Sequence, residues 1–189
     1  ISTFHSLCVR VLRRYADAAG IGHNFSIYDD ADQTRCVKQA LGDCNLDTTA
    51  FPAGRMLEAI STLKNKLVDP EAFKEQAVDY FSQALVKVYA RYQKLLVERN
   101  GLDFDDLLMK VALLLENDAK VCAELADRFR YLLIDEYQDT NHAQYRLAKA
   151  IALHHRNICA TGDPDQSIYR WRGADIRKIG RASCRERVY

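Results

Sequence analysis

Apolar side chains return every third or fourth position at the start of the chain. Phe4, Leu7, Cys8, Val11, Leu12 and Tyr15 share one face, while Arg10, Arg13 and Arg14 fall off it. That spacing predicts an amphipathic helix over residues 4–19, closed by Gly20, with the residues before it reading as a strand that runs into the helix. NFSIYD (24–29) reads as a short extended link, and Asp30 is placed to cap a helix through Leu41. Asn45 to Gly54 carries Pro52 and two threonines and reads as a loop. A helix near Arg55 to Leu67 follows, then a long one from about Glu71 to Glu98. The long helix has Phe73, Ala77, Tyr80, Phe81, Ala84, Leu85, Val88 and Tyr92 on one stripe and is stopped by Asn100-Gly101. No strand pattern is visible between Asp30 and Arg130, so residues 21–102 read as a compact helical insertion.

The pattern then changes. Asp103 or Asp105 starts a helix through about Leu115, and a second short helix leads to Arg130. YLLID (131–135) is a brief apolar run ending in a carboxylate, which predicts a strand buried on both faces. Thr140-Asn141 caps a helix to His155, and NICATGD (157–163) predicts another buried strand ending in Asp163. Strand, helix and strand at this spacing form a right-handed α/β unit, and such sheets bind ligands beyond the carboxyl ends of their strands. Asp135 and Asp163 both belong there.

With 189 residues and 48% hydrophobic content, the chain has enough apolar material for one large domain or two small ones. Its 27 basic and 26 acidic side chains nearly cancel. Any grip on a polyanion must therefore come from local placement rather than a global field. Six scattered cysteines include no Cys-x-x-Cys pair, which argues against a zinc site or a disulfide framework. No apolar run reaches the length of a membrane span, and the expectation is a soluble, cytoplasmic protein without a membrane partner. Ile1 in place of Met suggests sequence upstream. At the other end, IGRASCRERV resembles the translation of a sequencing-library adapter, so residues 178–189 are expected to be an artefactual tail. That tail carries four basic residues and one acid, and without it the formal charge moves from +1 to −2. The alternative is a genuine basic tail that binds DNA.

Two segments carry candidate chemistry. In LLIDEYQDTN a hydrophobic strand presents Asp135 and Glu136 at its tip. One carboxylate there can hold Mg²⁺, and the next can orient or deprotonate an attacking water. The plainer alternative is an acidic turn whose Asp139 and Thr140 cap the next helix. GDPDQSIYRWRGAD places acid, amide, aromatic and guanidinium groups in one loop after a buried strand. Gln166 can hydrogen-bond a terminal phosphate or its attacking water. Tyr169 and Trp171 offer faces for unpaired bases, and Arg170 and Arg172 supply charge for phosphates. The alternative makes Trp171 a core anchor and leaves the arginines in solvent.

These segments resemble a known family. IDEYQDTN is similar to the Walker B motif of superfamily 1 helicases of the Rep/UvrD/PcrA group, and GDPDQSIYRWRGAD to their third motif. ISTFHSLCVRVLRR and LDFDDLL resemble two further family segments, and all four stand in family order over about residues 1–177. The resemblance implies an α/β fold, part of a RecA-like parallel-sheet motor domain (1–20 and 103–177) with an inserted all-helical subdomain (21–102). It implies that Asp135 holds Mg²⁺, that Glu136 is the base for ATP hydrolysis, and that Gln166 contacts the γ-phosphate. Tyr169, Trp171 and Arg172 would touch single-stranded DNA, with Thr3, Phe4 and His5 along the same path. For His5 the alternative is a neutral imidazole at a strand end. Asp103, Asp105 and Asp106 read as helix capping and dipole compensation rather than metal ligands.

The implied activity is ATP-dependent 3′-to-5′ translocation on single-stranded DNA, with unwinding at single-strand/duplex junctions, in DNA repair or replication. A helicase-nuclease recombination subunit and a non-hydrolysing DNA-binding remnant are the alternatives. One departure is plain: G-x-x-x-x-G-K-[ST] occurs nowhere in the chain, so this segment by itself is expected not to hydrolyse ATP. A parallel sheet cut from its neighbours is also expected to leave apolar surface exposed.

Overall fold

The computed structural model describes residues 1–163, so the segments holding Gln166, Tyr169, Trp171, Arg172 and the tail at 178–189 lie outside the described residues. The chain divides into two compact units, Ile1–Val111 and a second beginning at Ala112.

In the first unit, helix α1 (Phe4–Arg14) starts without a preceding strand. Thr3 has extended backbone and its Oγ1 accepts the Ser6 N–H at 3.2 Å, so residues 1–3 serve as a helix cap. The helix also ends earlier than Ala19. Arg13 folds back to donate to the carbonyls of His23 and Phe25, at 2.9 Å each, and its guanidinium lies over the Phe25 ring. Strand β1 (Ser26–Ile27) follows. Helix α2 (Asp30–Asp43) is capped by Asp29 in a reciprocal arrangement with Asp32, one residue earlier than the periodicity indicates. Helix α3 (Ala53–Asn65) occupies the expected place.

The long helix expected from Glu71 to Glu98 is two helices, α4 (Pro70–Lys74) and α5 (Tyr80–Glu98). Side-chain capping explains the break. The Asp79 carboxylate accepts the Ser82 N–H at 3.0 Å and the Ser82 hydroxyl accepts the Asp79 N–H at 3.1 Å, which opens a new helix inside a continuous apolar stripe. Helix α5 is the axis of this unit: Leu85, Val88, Tyr89, Tyr92, Leu95 and Leu96 pack with Val37, Ala40 and Leu41 of α2 and with Met56 and Ile60 of α3. Each such burial contributes roughly 1.5–3 kcal/mol, and truncating Leu96 to Ala would cost about 2–5 kcal/mol.

Strand β2 (Gly101–Leu102) corrects the expectation of a strand-free stretch: it pairs in parallel with β1, Ser26 opposite Gly101 and Ile27 opposite Leu102. Two residues are too few to show a period of two. Gly101 is required because a Cβ there would stand 2.6 Å from the Tyr28 ring. Helix α6 (Phe104–Asn117) then carries the chain across the division between the units.

In the second unit, α7 (Ala119–Arg128) is capped by Asp118, whose carboxylate accepts two backbone N–H groups. Strand β3 (Leu132–Ile134) leads through a 3₁₀ turn (Tyr137–Asp139) to α8 (His142–Ala152), and strand β4 (Ile158–Ala160) pairs in parallel with β3. Asn141 and Gln144 form the reciprocal cap that starts α8, which packs on α7. Burial on both faces is not found for β3: Ile134 is buried, but Leu133 is 82% exposed, and Ile158 and Cys159 of β4 are exposed too. Among the described residues the sheet has two strands, so it lacks the layers that would cover both faces. Tyr131 and Leu133 form the exposed apolar surface anticipated for such a sheet. Among the described residues, no helix is long and apolar enough to cross a membrane.

Candidate functional site

Parallel pairing brings the carboxyl ends of β3 and β4 side by side, and the candidate chemistry of the second unit gathers there. Asp135 follows the last residue of β3 directly. Its Oδ1 accepts the Thr161 hydroxyl at 2.6 Å and the Glu136 N–H at 3.0 Å, while its second oxygen accepts no hydrogen bond among the described residues. The Thr161 hydroxyl, then the Glu136 N–H, hold this carboxyl below its ordinary value, so Asp135 is an exposed, ionised oxygen donor at neutral pH. Glu136 is exposed beside it with backbone in the left-handed region (φ 52°, ψ 43°), uncommon for a side chain of this kind.

That kink turns the chain so that Gln138, buried, reaches back and donates from Nε2 to Glu136 Oε2 at 2.5 Å. The other end of the same carboxamide accepts the Asp163 N–H at 3.0 Å. Gly162 leaves room for this, since a Cβ there would collide with Gln138 Oε1. Backbone bonds close the corner: Thr161 N–H to the Ile134 carbonyl at 2.8 Å, and Tyr137 N–H to the Thr161 carbonyl at 2.9 Å. Asp163, the other acid expected at a strand end, follows β4 by three residues and contributes its N–H to this corner. Thr161, Gly162 and Gln138 had no role in the sequence reading. All three sit inside the quoted segments, but the pairing of β3 with β4 brings Thr161 onto Asp135 and Gly162 onto Gln138, and the turn at Glu136 brings Gln138 onto Glu136.

The remaining candidates divide between the two units. Thr3, Phe4 and His5 belong to the first: Thr3 is the exposed cap of α1, and Phe4 and His5 are half-buried in its first turn. The His5 ring meets the Phe104 ring edge-on, with centroids 5.8 Å apart, and burial lowers its pKa, so the imidazole is neutral at pH 7. It stands at a helix start rather than at a strand end. Gln166, Tyr169, Trp171 and Arg172 lie outside the described residues.

The second acidic group, Asp103, Asp105 and Asp106, is a different object. Asp103 Oδ1 accepts the Asp106 N–H at 2.7 Å, a helix cap as read from the sequence. Lys64, fully buried on α3, enters between the two aspartates at 2.6 Å from Asp103 and 2.8 Å from Asp106. Tyr92 donates its hydroxyl to Asp103 at 2.9 Å, and Gln93 donates to Asp106 at 3.1 Å. Burial by itself would lower the Lys64 pKa, but the attraction of Asp103 and Asp106 outweighs it and holds the ammonium charged. Asp105, to which Asn65 donates at 3.0 Å, is pushed up to about 6 by burial and by Asp103, which outweigh the opposing Lys64 charge. With a lysine already neutralising it, this cluster is a structural lock.

Among the described residues, no three His, Cys, Asp or Glu side chains converge as a metal cage. Mg²⁺ does not need one, because it keeps several waters and takes one or two carboxylates together with substrate phosphates. The free oxygen of ionised Asp135 suits that ion.

The chain matches the family model described as the UvrD/REP helicase N-terminal domain over residues 1–185. It is 50% identical over 179 residues to the ATP-dependent DNA helicase PcrA of Bacillus subtilis, covering 95% of this chain and 24% of that protein. To the helicases of the same name from Staphylococcus aureus and Staphylococcus epidermidis it is 48% and 47% identical, again over 95% of its length. The chain thus spans about a quarter of the length of these curated relatives.

Proposed function

The chain belongs to the UvrD/REP helicase N-terminal domain family, and on that premise we propose that it is the Mg²⁺-binding and DNA-contacting part of an ATP-dependent DNA helicase. The observation that carries this reading is the corner at the ends of β3 and β4. An ionised Asp135 stands there beside Glu136, with a hydroxyl and an amide holding one oxygen of each. Asp135 would hold Mg²⁺, which would supply charge neutralisation for the phosphates of ATP. Glu136 accepts the proton of the attacking water through its exposed carboxylate. Gln166 contacts the γ-phosphate. Tyr169 and Trp171 stack unpaired bases, Arg172 takes backbone charge, and Thr3, Phe4 and His5 line the same strand.

In this reading residues 1–20 and 103–177 form part of a RecA-like motor domain, 21–102 an inserted helical subdomain, and 178–189 an artefactual tail. The substrate is single-stranded DNA and its junctions with duplex, translocation runs 3′ to 5′, and the setting is cytoplasmic DNA repair or replication. A phosphate-binding loop must come from sequence outside this segment, since none occurs within it.

The test is Glu136→Gln in a full-length helicase carrying this segment. ATP binding is retained and turnover falls by roughly 10²-fold or more; undiminished turnover refutes the base assignment. For the DNA contact, Trp171→Ala weakens single-strand binding by about 1–3 kcal/mol in fluorescence anisotropy, and equal binding rejects the stacking role.

A further inference from the structure

We propose that Gln138 is a positioning residue for Glu136: its carboxamide ties up one carboxylate oxygen, leaves the other free for water, and fixes that arrangement to the backbone at Asp163. The inference rests on Glu136 being the base of the proposed function. Three observations carry it. Gln138 is buried, yet both ends of its amide are used, Nε2 on Glu136 Oε2 at 2.5 Å and Oε1 on the Asp163 N–H at 3.0 Å. The orientation follows from chemistry, because a backbone N–H can only donate: the amide oxygen must face Asp163 and the NH₂ must face Glu136. The backbone accommodates this contact at both sides: Glu136 is left-handed, and the missing Cβ of Gly162 leaves the space that Gln138 Oε1 occupies.

An exposed glutamate otherwise samples many rotamers, and a base that must be ordered in every turnover loses rate. Gln138 removes that search. It also links β3 to the chain beyond β4 through one side chain, so a shift of the backbone at Asp163 moves the N–H donor that holds the amide oxygen. Cost at Gln138 therefore falls on the chemical step rather than on nucleotide affinity.

The experiment compares Gln138→Glu, Gln138→Met and Glu136→Gln in a full-length helicase carrying this segment, measuring kcat, KM for ATP and the thermal midpoint. Gln138→Glu keeps the shape and the acceptor for Asp163 but sets a carboxylate against Glu136. Its kcat falls roughly 10- to 100-fold with KM within about two-fold. Gln138→Met loses both hydrogen bonds without adding charge and shows the smaller loss in kcat. A merely structural role reverses that order, with Met worse than Glu and a lowered thermal midpoint, and this result overturns the proposal. Wild-type kcat in Gln138→Glu, with Glu136→Gln inactive, overturns the positioning role alone. An active Glu136→Gln overturns the base and with it the proposal. Should Gln138→Glu fail to fold, Gln138→Met decides: a lower kcat at unchanged KM and thermal midpoint supports the proposal, and an unchanged kcat rejects it.

Discussion

Two groups of carboxylates stand at the ends of secondary-structure elements in this chain, and their surroundings send them in opposite directions. At the start of α6, Asp103 and Asp106 are buried and bracket the Lys64 ammonium, with a tyrosine hydroxyl and a glutamine amide filling remaining lone pairs. At the tip of β3, Asp135 and Glu136 are exposed, have no cation among their hydrogen-bond partners in the described residues, and each receive a neutral donor on one oxygen. The first group has spent its charge on an internal partner and can only hold the fold together. The second keeps carboxyl oxygens facing solvent, where an ion or a water can reach them. Acid content alone therefore says little about function; the position of the nearest cation decides it.

The sharpest way to break the comparison is Lys64→Met. Removing the cation strands two buried carboxylates and should cost about 3–5 kcal/mol in urea-induced unfolding; an unchanged midpoint would mean that the aspartates are not ionised there. Tyr92→Phe is milder. Asp103 keeps its lysine and loses one hydroxyl, for a cost of about 1–2 kcal/mol by the same measurement, and a larger loss would shift the weight of the cluster from charge to hydrogen bonding.

Asp105→Asn probes the acid whose shift is dominated by burial. Its folded value of about 6 lies above the unfolded one, so between roughly pH 4 and 6 the folded state binds the extra proton and stability falls as pH rises. The amide abolishes that decline, giving about 1–2 kcal/mol more stability at pH 7 and no gain at pH 4; a loss at pH 7 would contradict the burial argument. Asp135 runs the other way. It is depressed in the folded state, so whatever it contributes is present at neutral pH and fades in acid. The smallest effect is expected from Thr161→Val: unfolding changes by less than about 0.5 kcal/mol, while the Asp135 carboxyl, followed by ¹³C NMR, titrates at higher pH. A large loss of stability there would make the strand-tip group structural as well.

Much of the helical framework was legible before any coordinates, for local reasons. The stripe from Phe4 to Leu12 and the capping acids and amides near residues 30 and 141 act within one or two turns, so their signals lie close together in the chain. Misreadings arose where two local signals competed or where a partner was distant. Asp79 and Ser82 start a helix inside an apolar stripe that seemed continuous. Strand β2 is two residues long and owes its existence to a partner some 75 positions earlier. In the site, the acidic pair at the β3 tip was evident from its strand. Gln138 was not, because a glutamine two residues beyond a glutamate meets it only after a left-handed turn.

What the sequence determined by itself was the order of its motifs, the helical stripes and caps, and the position of Asp135 and Glu136 directly after a short apolar run. These rest on neighbours along the chain, where steric and hydrogen-bonding rules act over a few residues. Tertiary structure alone decided that Lys64 lies between Asp103 and Asp106, that Thr161 donates to Asp135, and that Gln138 joins Glu136 to Asp163. Each of those contacts joins segments brought together by packing or by an unusual backbone turn, and the free energy of a buried or half-buried charge depends on whatever ends up beside it.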